Sequence, residues 1–425
     1  MLAGQTDFIC DLTTGTTLAR RARRAPAAPP RADRETPAPL TPRPSTRMLL
    51  PIMAVVLIAF LVIGMALPVL PLHVHHDLGF GTATVGFVTG SQFVASLVSR
   101  VWAGRYADKR GAKQTVVTGL LIAAAAGLLY VASLGFAGIT SVAILLSGRA
   151  LLGAAESLVI TGAITWGMAV AGAANAGRVI AWIGMSLFAA LALGAPIGTA
   201  LHSGGGFVGV AAATIAAPLL TLLLVTPLSA VPPQRGAQPG FLSVASAVWL
   251  PGVGSALSSI GMGAMMAFSS LIAIERGWSP VWLAFSAFAL ALVTARLFFG
   301  QLPDRLGGAR VAFASVVIEA AGLALIWLAG SPALAAIGAA LTGFGYALVY
   351  PGLGVEAVRR APAQSRGLAM GAYTVFLDVA LGFGTPALGF IAGWTGLGSV
   401  FLASAILALG AALIAAVLLR TTRHA

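Results

Sequence analysis

The sequence predicts an all-α integral membrane protein in which twelve transmembrane helices form two pseudo-symmetric bundles of six. Of its 425 residues, 58% are hydrophobic and 9% are charged, whereas a soluble domain has roughly 25% charged residues. Apolar runs of about 20 residues, the length that spans a bilayer as a helix, follow one another from Leu49 onward. One helix-to-turn junction also occurs twice, as RVWAGRYADKRG at 100–111 and RLFFGQLPDRLG at 296–307. A fixed internal period indicates a duplicated unit, and secondary transporters are built from such repeats.

The first 48 residues differ from the rest in composition. They carry eight arginines among many Pro, Ala and Thr residues, and such a segment cannot bury enough apolar surface to order itself. It also lacks the apolar stretch of a secretory signal. We predict a disordered basic tail over 1–48. Two alternatives stay open: sequence upstream of a true start at Met48, or a basic arm that binds lipid or acts in targeting.

The remaining chain divides into two sets of six apolar spans. We predict an N-terminal bundle at 49–228, a cytoplasmic linker at 229–249, and a C-terminal bundle with a short cytoplasmic tail at 250–425. Prolines and glycines inside the spans are tolerated because neighbouring helices satisfy the backbone groups that they free. The predicted spans, numbered 1 to 12, lie at 49–72, 82–103, 114–134, 141–165, 178–201, 207–228, 250–274, 281–301, 311–329, 333–357, 367–391 and 397–419.

The distribution of cations predicts the orientation. With the N-terminus inside, the cytoplasmic segments hold the eight tail arginines and 13 further Lys and Arg residues, whereas the outer loops hold Arg276 alone. Positive residues accumulate on the cytoplasmic side of membrane proteins. Both termini and both copies of the junction are therefore predicted to face the cytoplasm. Topology also explains the net charge of +13 better than a nucleic-acid partner does.

No pattern in the sequence indicates a catalytic site, a metal site or a cofactor. The only cysteine, Cys10, lies in the polar tail, which excludes an internal disulfide and thiolate metal sites. The glycines at 204–206 lack the Lys of a nucleotide cradle, so ATP is not expected as the energy source. A polar cluster at the outer mouth is interpreted as a loop, with metal binding or pH sensing as alternatives: His73, His75, His76 and Asp77.

The repeated residues resemble the motifs of the major facilitator superfamily. The run from Gly104 to Lys113 is similar to the family's signature loop between helices 2 and 3, and Gly300 to Arg310 to its degenerate second copy. Arg149, with a glycine four residues later, matches the helix 4 motif. Segments 68–79 and 350–360 resemble bacterial arabinose-efflux-type permeases of uncertain substrate.

A second repeat, 190 positions apart, relates spans 5 and 11, where Gly194 and Pro196 recur as Gly384 and Pro386. Gly194 and Pro196 are part of a partial match to the family's helix 5 motif, which is associated with exporters. The family places Gly next to Pro, and here Ala195 intervenes. The motif residues are Gly194, Pro196 and Gly198.

The resemblance implies a gate at the repeated junction. Asp108 lies between two glycines that let the chain turn sharply, and the family's loop acts as a latch between the halves that holds the outward-facing state. A local turn cap is the alternative. The residues assigned to this gate are Gly104, Arg105, Asp108, Lys109, Arg110 and Gly111, with Gly300, Asp304, Arg305 and Gly307 in the second copy.

Charged residues within spans are the candidates for proton or substrate binding, because each costs about 2.5–3.5 kcal/mol at the bilayer centre. Arg149 and Glu156 are two turns apart on one face of span 4, and the resemblance implies that this helix lines the central cavity. Asp378 lies near the middle of span 11, where a carboxylate can bind and release protons. Structural hydrogen bonding is the alternative for all three. Glu319 in span 9 is interpreted as a packing partner.

A further network is predicted at the cytoplasmic surface. Glu356 precedes Arg359 at the spacing of a helical salt bridge, and an inner-gate network with Asp304 or Arg305 is the hypothesis, with helix-end solvation as the alternative. Arg100 and Arg296 stand one turn before their junction glycines, so their long side chains can reach the inner surface and brace the junction.

Together these features predict a transporter of the bacterial cytoplasmic membrane that works by alternating access. Proton-coupled export of a small organic solute is the leading hypothesis, and proton-coupled uptake of a sugar or other small metabolite is the alternative. A membrane sensor on the same fold is a weaker alternative, and an enzyme is not expected. The predicted partners are the solute, protons and the lipid bilayer, and the protein is expected to act as a monomer.

Overall fold

The computed structural model describes residues 46–172, 176–231, 241–360 and 366–423. These ranges are helical and contain no β-strand. The helices are α1 (Thr46–Leu72), α2 (Thr82–Arg110), α3 (Ala112–Ser133), α4 (Gly138–Ala171), α5 (Ala176–Val225), α6 (Phe241–Glu275), α7 (Leu283–Phe299), α8 (Leu302–Leu306), α9 (Gly308–Leu328), α10 (Pro332–Arg360), α11 (Arg366–Val379), α12 (Thr385–Thr395) and α13 (Leu397–Arg423).

These helices carry the twelve spans, and the predicted fold class is confirmed. Helix α5 holds spans 5 and 6, which meet at a kink where Gly206 has φ +62°. Span 11 consists of α11 and α12, joined through a π-helical turn at Ala380–Gly384. The short α8 belongs to the second junction, and each remaining helix is one span. Helix α6 begins at Phe241, so residues 241–249, predicted as linker, are helical.

Two equivalent pairs of spans make the most extensive contacts between the bundles, and α1 also packs against α6. Helix α2 packs against α12 and the π turn of span 11, and the kinked α5 packs against α7. Spans 2 and 11 of the first pair correspond to spans 8 and 5 of the second, so that the repeat in the sequence appears as a repeated contact in the structure. Each side of the central interface is thus built from one helix of each bundle.

Both junctions end at a glycine with the same backbone conformation, although the second is interrupted by a turn at 300–301 before α8. Gly111 and Gly307 occupy equivalent positions with φ values of +88° and +93°, a conformation that glycine adopts without steric cost. Lys113 donates from Nζ to the carbonyl oxygens of Thr226 and Leu228, both at 2.7 Å, and so binds the first junction to the end of span 6. We call the membrane face of residues 104–113 and 300–310 the junction side, and the opposite face the far side.

The helix 5 motif is a packing surface for span 1. A Cβ atom at Gly198 would lie 2.1 Å from the carbonyl oxygen of Met65, and one at Gly194 would lie 2.7 Å from Cα of Gly64. These distances leave no room for a side chain, because carbon and oxygen atoms do not approach so closely. The two glycines therefore let α5 touch the backbone of α1 inside the N-terminal bundle.

Replacing Gly198 with alanine is expected to destabilise the protein by about 1–3 kcal/mol, the usual cost of overpacking a well-packed core. Thermal unfolding of the purified protein in detergent measures the change. The matched control is Gly204→Ala on the same helix, where an added Cβ meets no atom within 4 Å. Equal melting temperatures for the two variants would contradict the assignment of Gly198 to this close contact.

Candidate functional site

A cavity of about 220 Å³ lies between the two bundles. Four of the charged residues within the spans contribute to its wall, together with apolar and aromatic side chains from both bundles. Its polar and aromatic lining comprises Phe60, Gln92, Phe93, Arg100, Glu156 and Phe188 from the N-terminal bundle, and Arg296, Tyr346, Tyr350 and Asp378 from the C-terminal bundle.

An ion pair across the interface forms one wall of the cavity. Arg100 of α2 donates from Nε and Nη2 to Oδ2 of Asp378 in α11, at 2.9 Å and 2.7 Å. The Asp378 side chain is 2% exposed and that of Arg100 is 27% exposed. Removing one partner of a buried ion pair leaves the other charge uncompensated, at a cost of roughly 3–5 kcal/mol. The charge state of Asp378 is therefore coupled to the contact between the bundles.

Glu156 also lines the cavity, but its hydrogen bond stays within one bundle. Its Oε2 accepts from Nε2 of Gln92 at 2.7 Å, which joins α4 to α2. The two helices approach closely at this level because residue 153 is glycine: a Cβ there would lie 2.0 Å from the carbonyl oxygen of Gln92. The hydrogen bond that protonation of Glu156 would change lies inside the N-terminal bundle.

Arg149 is separated from Glu156, its predicted neighbour on span 4. It is fully buried at 0% exposure and is not part of the cavity lining. Its environment includes Tyr130 of α3, and its Nε and Nη1 atoms have no hydrogen-bond partner within the described ranges. The seven-residue separation places the two side chains at different depths, so that Glu156 lines the cavity and Arg149 does not.

Arg296 occupies the position equivalent to Arg100, with a different partner. Its guanidinium lies 4.7 Å from the ring centroid of Phe188 on α5, and its Nε donates to the carbonyl oxygen of Ala347 at 3.3 Å. Both arginines, predicted to reach the inner surface, line the cavity instead. Helical side chains lean towards the helix N-terminus, and in spans 2 and 8 that direction points into the membrane.

The repeat relates the two arginine contacts residue by residue. Arg100 and Arg296 are 196 positions apart, and Asp378 lies 190 positions after Phe188, the offset that relates spans 5 and 11. The same offset relates Glu156 to Tyr346, and both line the cavity. The protein therefore has an ion pair on one side of its pseudo-symmetry axis and a cation–π contact on the other.

The predicted gate residues lie on the junction side, mostly exposed. Asp108 makes no hydrogen bond or ion pair in the part of the chain that the structure describes, and Arg105, Lys109, Arg110 and Asp304 are exposed around the two junctions. Arg305 donates from Nη2 to Oε1 of Gln301 at 2.8 Å. At the first junction Arg105, Asp108, Lys109 and Arg110 are thus exposed and can meet another surface, whereas Lys113 is bound to the end of span 6.

Glu356 stabilises the start of α9 and does not contact Asp304 or Arg305. Its Oε1 accepts from the backbone nitrogen of Ala309 at 3.2 Å and lies 3.6 Å from Nη1 of Arg359. A carboxylate is favoured at a helix N-terminus because of the orphan amides and the helix dipole. The predicted pair with Arg359 is present, whereas the wider network is not formed in this conformation.

Two further polar groups have local partners. Glu319 is fully buried at 0% exposure and its Oε2 accepts from Oγ of Ser258 at 2.6 Å, in keeping with a packing role. In the polar cluster at 73–77, Nδ1 of His73 lies 2.7 Å from Oδ2 of Asp77, and the His73 ring stacks on Phe207 at 4.2 Å. These side chains are held within the N-terminal bundle and away from the cavity.

The two bundles are packed tightly on the far side. A Cβ atom at Gly86 would lie 2.7 Å from the carbonyl oxygen of Thr385, and one at Gly389 would lie 2.5 Å from that of Thr82. Oγ1 of Thr82 also donates to the carbonyl oxygen of Gly389 at 2.8 Å. The cavity, in contrast, extends towards the junction side, where its wall includes Ile164, Ile180 and Gly184.

This architecture matches a known family. The sequence model of the Major Facilitator Superfamily matches residues 52–285 and 252–425. The chain belongs to the major facilitator superfamily. It is therefore a multi-pass membrane transporter, and members of this superfamily move small-molecule solutes across the bilayer.

The relatives show how far the similarity extends. The chain is 40% identical over 383 residues to an uncharacterised MFS-type transporter of Salmonella typhimurium, covering 90% of this chain and 99% of the relative. It is also 40% identical over 374 residues to an uncharacterised MFS-type transporter of Burkholderia mallei, covering 88% and 92%.

Solved structures share the fold at low sequence identity. The nucleoside transporter NupG superposes with a TM-score of 0.69 at 15% identity, over 88% of this chain and 99% of NupG. A D-xylose-proton symporter superposes with a TM-score of 0.71 at 13% identity, over 87% and 96%. At these identities the comparison establishes the fold alone.

Proposed function

We propose that this transporter exports a small organic solute from the cytoplasm in exchange for protons. The observation that carries the proposal is the Arg100–Asp378 ion pair, which joins the two bundles inside the cavity. In secondary transporters the halves rock about a site near the bilayer midplane. An ion pair placed on that pivot is the group through which a proton can act on the rocking motion.

Protonation of Asp378 would neutralise the carboxylate and weaken its contact with Arg100. The Arg100 side chain is partly exposed to the cavity, so water and solute can reach the pair. A solute and a proton would then compete. The solute binds the state in which the ion pair is intact, and the proton binds the state in which Asp378 is neutral and the interface is loosened. Competition of this kind at one site is the physical basis of antiport.

Asp378 is preferred over Glu156 and Arg149 as the coupling residue because of the contact that each controls. Glu156 bonds to Gln92 of its own bundle, and Arg149 is buried outside the cavity. Of these three residues, Asp378 is the one whose charge links α11 to α2 by an ion pair. We assign Glu156 to the solute-binding wall and Arg149 to the internal structure of the N-terminal bundle.

The predicted orientation places the junction side in the cytoplasm of a bacterial cell. In this orientation the described conformation is packed towards the outside and has its cavity towards the cytoplasm, the state in which an exporter loads solute. Asp108 and the other gate residues would engage the opposite bundle only when the cytoplasmic side closes. Their exposure here fits a latch that is released in this state.

Export and uptake differ in which side loads the solute. A growth screen of a deletion strain across drugs, sugars and amino acids first identifies the solute. Everted membrane vesicles with an acidic lumen should then accumulate that solute and release protons as they do so. Solute leaving preloaded vesicles together with protons would instead establish the alternative, proton-coupled uptake. Transport that is independent of any pH gradient would contradict proton coupling in both forms.

A further inference from the structure

We propose that the cavity selects small aromatic anions and that the guanidinium of Arg296 binds their negative group. This inference rests on the proposed transport function and names its substrate class. The cavity wall contains two cations, Arg100 and Arg296. Arg100 has a protein carboxylate as its partner, and Arg296 has none in the described part of the chain.

The charges of the cavity are unequally compensated. Arg100 is neutralised by Asp378, whereas Glu156 accepts a hydrogen bond from the neutral amide of Gln92 and forms no ion pair in the described part of the chain. Arg296 forms no ion pair with any carboxylate in the described ranges. In those ranges it makes a cation–π contact with the Phe188 ring and a single hydrogen bond, from Nε to the backbone carbonyl of Ala347.

The terminal nitrogens of Arg296 therefore remain available. Within the described part of the chain neither Nη atom donates to a protein acceptor, and neither is among the buried atoms that lack a partner. The side chain lines the cavity, so these donors are accessible to a molecule inside it. The planar guanidinium presents paired donors that match a carboxylate in two parallel hydrogen bonds.

The repeat shows that the arginine without a carboxylate partner is found on one side of the pseudo-symmetry axis and not on the other. At the equivalent contact on the other side of the axis, the chain places Asp378 where Phe188 stands here. An aromatic ring orients the guanidinium without cancelling its charge. The protein thus keeps one cation of the cavity wall available for a negative charge that arrives from outside.

The rest of the wall suits an aromatic body. Phe60, Phe93, Phe188, Tyr346 and Tyr350 all contribute to the lining, and aromatic rings pack favourably against one another in offset or edge-to-face geometry. A volume of about 220 Å³ lies below the roughly 300–1,000 Å³ of pockets for drug-sized ligands. A solute with one or two rings and one acidic group fits these limits.

The experiment measures binding of a charge series to the purified full-length protein in detergent. The probes are benzoate and 1-naphthoate, the neutral benzyl alcohol and 1-naphthalenemethanol, and the cationic benzylamine. Stabilisation against thermal unfolding reports binding, because a ligand that binds the folded state raises the melting temperature with its concentration. We expect the two anions to bind at least about tenfold more tightly than the matched alcohols, and benzylamine to bind most weakly.

Variants then locate the negative group. Arg296→Gln is expected to raise the Kd of the anions about tenfold or more and to leave the Kd of the alcohols unchanged, with Arg296→Lys between it and the wild type. The control is Arg276→Gln, because Arg276 binds backbone carbonyls of Trp327 and Ala329 and lies outside the cavity lining. This control should bind the anions as the wild type does.

Several results would overturn the proposal. These are equal affinity for anions and alcohols in the wild type, a preference for benzylamine, no binding of either anion, or anion binding that Arg296→Gln does not change. The charge series in the wild type requires no variant, so a folding defect in Arg296→Gln cannot mask the outcome. Proton coupling plays no part in this binding assay. If the vesicle experiment showed no proton coupling, the measured preference for anions would still stand.

Discussion

Replacing Asp378 with asparagine is expected to abolish proton-driven solute accumulation in everted vesicles, while exchange of labelled for unlabelled solute continues. Asparagine retains the size and polarity of aspartate but cannot bind and release a proton. It also leaves Arg100 without its counter-charge. Accumulation against a gradient requires a proton site, whereas exchange at equal concentrations requires only the rocking motion. Counterflow and ΔpH-driven accumulation, measured on the same vesicles, separate these two quantities.

The stability of variants of the Arg100–Asp378 pair provides a second measurement. Asp378→Asn should lower stability by less than the roughly 3–5 kcal/mol of a fully buried pair, because the guanidinium that is left unpaired, that of Arg100, is 27% exposed to the cavity. The double variant Arg100→Gln/Asp378→Asn removes both charges and should recover much of that loss, but not the coupling. Asp77→Asn, on the far side just after span 1, is the control and should transport normally. Proton-driven accumulation that survives in Asp378→Asn would remove the basis of the proposed mechanism.

The sequence alone predicted the architecture because the relevant signals are local or periodic. Apolar runs of membrane-spanning length and the repeated junction at 100–111 and 296–307 were sufficient for twelve spans in two bundles. The mid-span position of Asp378 also identified it as a candidate, since a charge at that depth requires a partner or a function. The identity of that partner could not be predicted, because it belongs to the other bundle.

The sequence predicted the cavity residues less completely than the architecture, for two physical reasons. The distance of Arg100 and Arg296 from the helix end suggested the membrane surface, but the direction of a helical side chain depends on which way the helix runs. Uncharged members of the cavity wall, such as Gln92, Phe188 and Tyr346, carry no signal of charge or motif. The 190-residue offset does relate two of them to Asp378 and Glu156, so the repeat contained information that single-residue reasoning did not use.

Replacing Gly389 with leucine is expected to stop transport by preventing the far side from closing. A Cβ at this position would already lie 2.5 Å from the carbonyl oxygen of Thr82, and leucine adds three more carbons. The clash falls between α12 and α2, which belong to different bundles, so the bundles can move apart and each can stay folded. The contrast with Gly198→Ala is informative, because there the same kind of clash lies inside one bundle and must be accommodated at the expense of its packing.

Two measurements test this difference. Solute exchange should fall to background in Gly389→Leu and stay normal in Gly371→Leu, a control on the same span where an added Cβ meets no atom within 4 Å. Far-side accessibility is read from a cysteine at Met266 in the cavity wall, in a protein with Cys10 replaced by serine. A membrane-impermeant maleimide added to the far side should label this cysteine faster in Gly389→Leu than in its parent. Normal exchange in Gly389→Leu would show that the far-side contact is not part of the transport cycle. A melting temperature as low as that of Gly198→Ala would show that the interface is needed for folding, and that the bundles do not move as separate bodies.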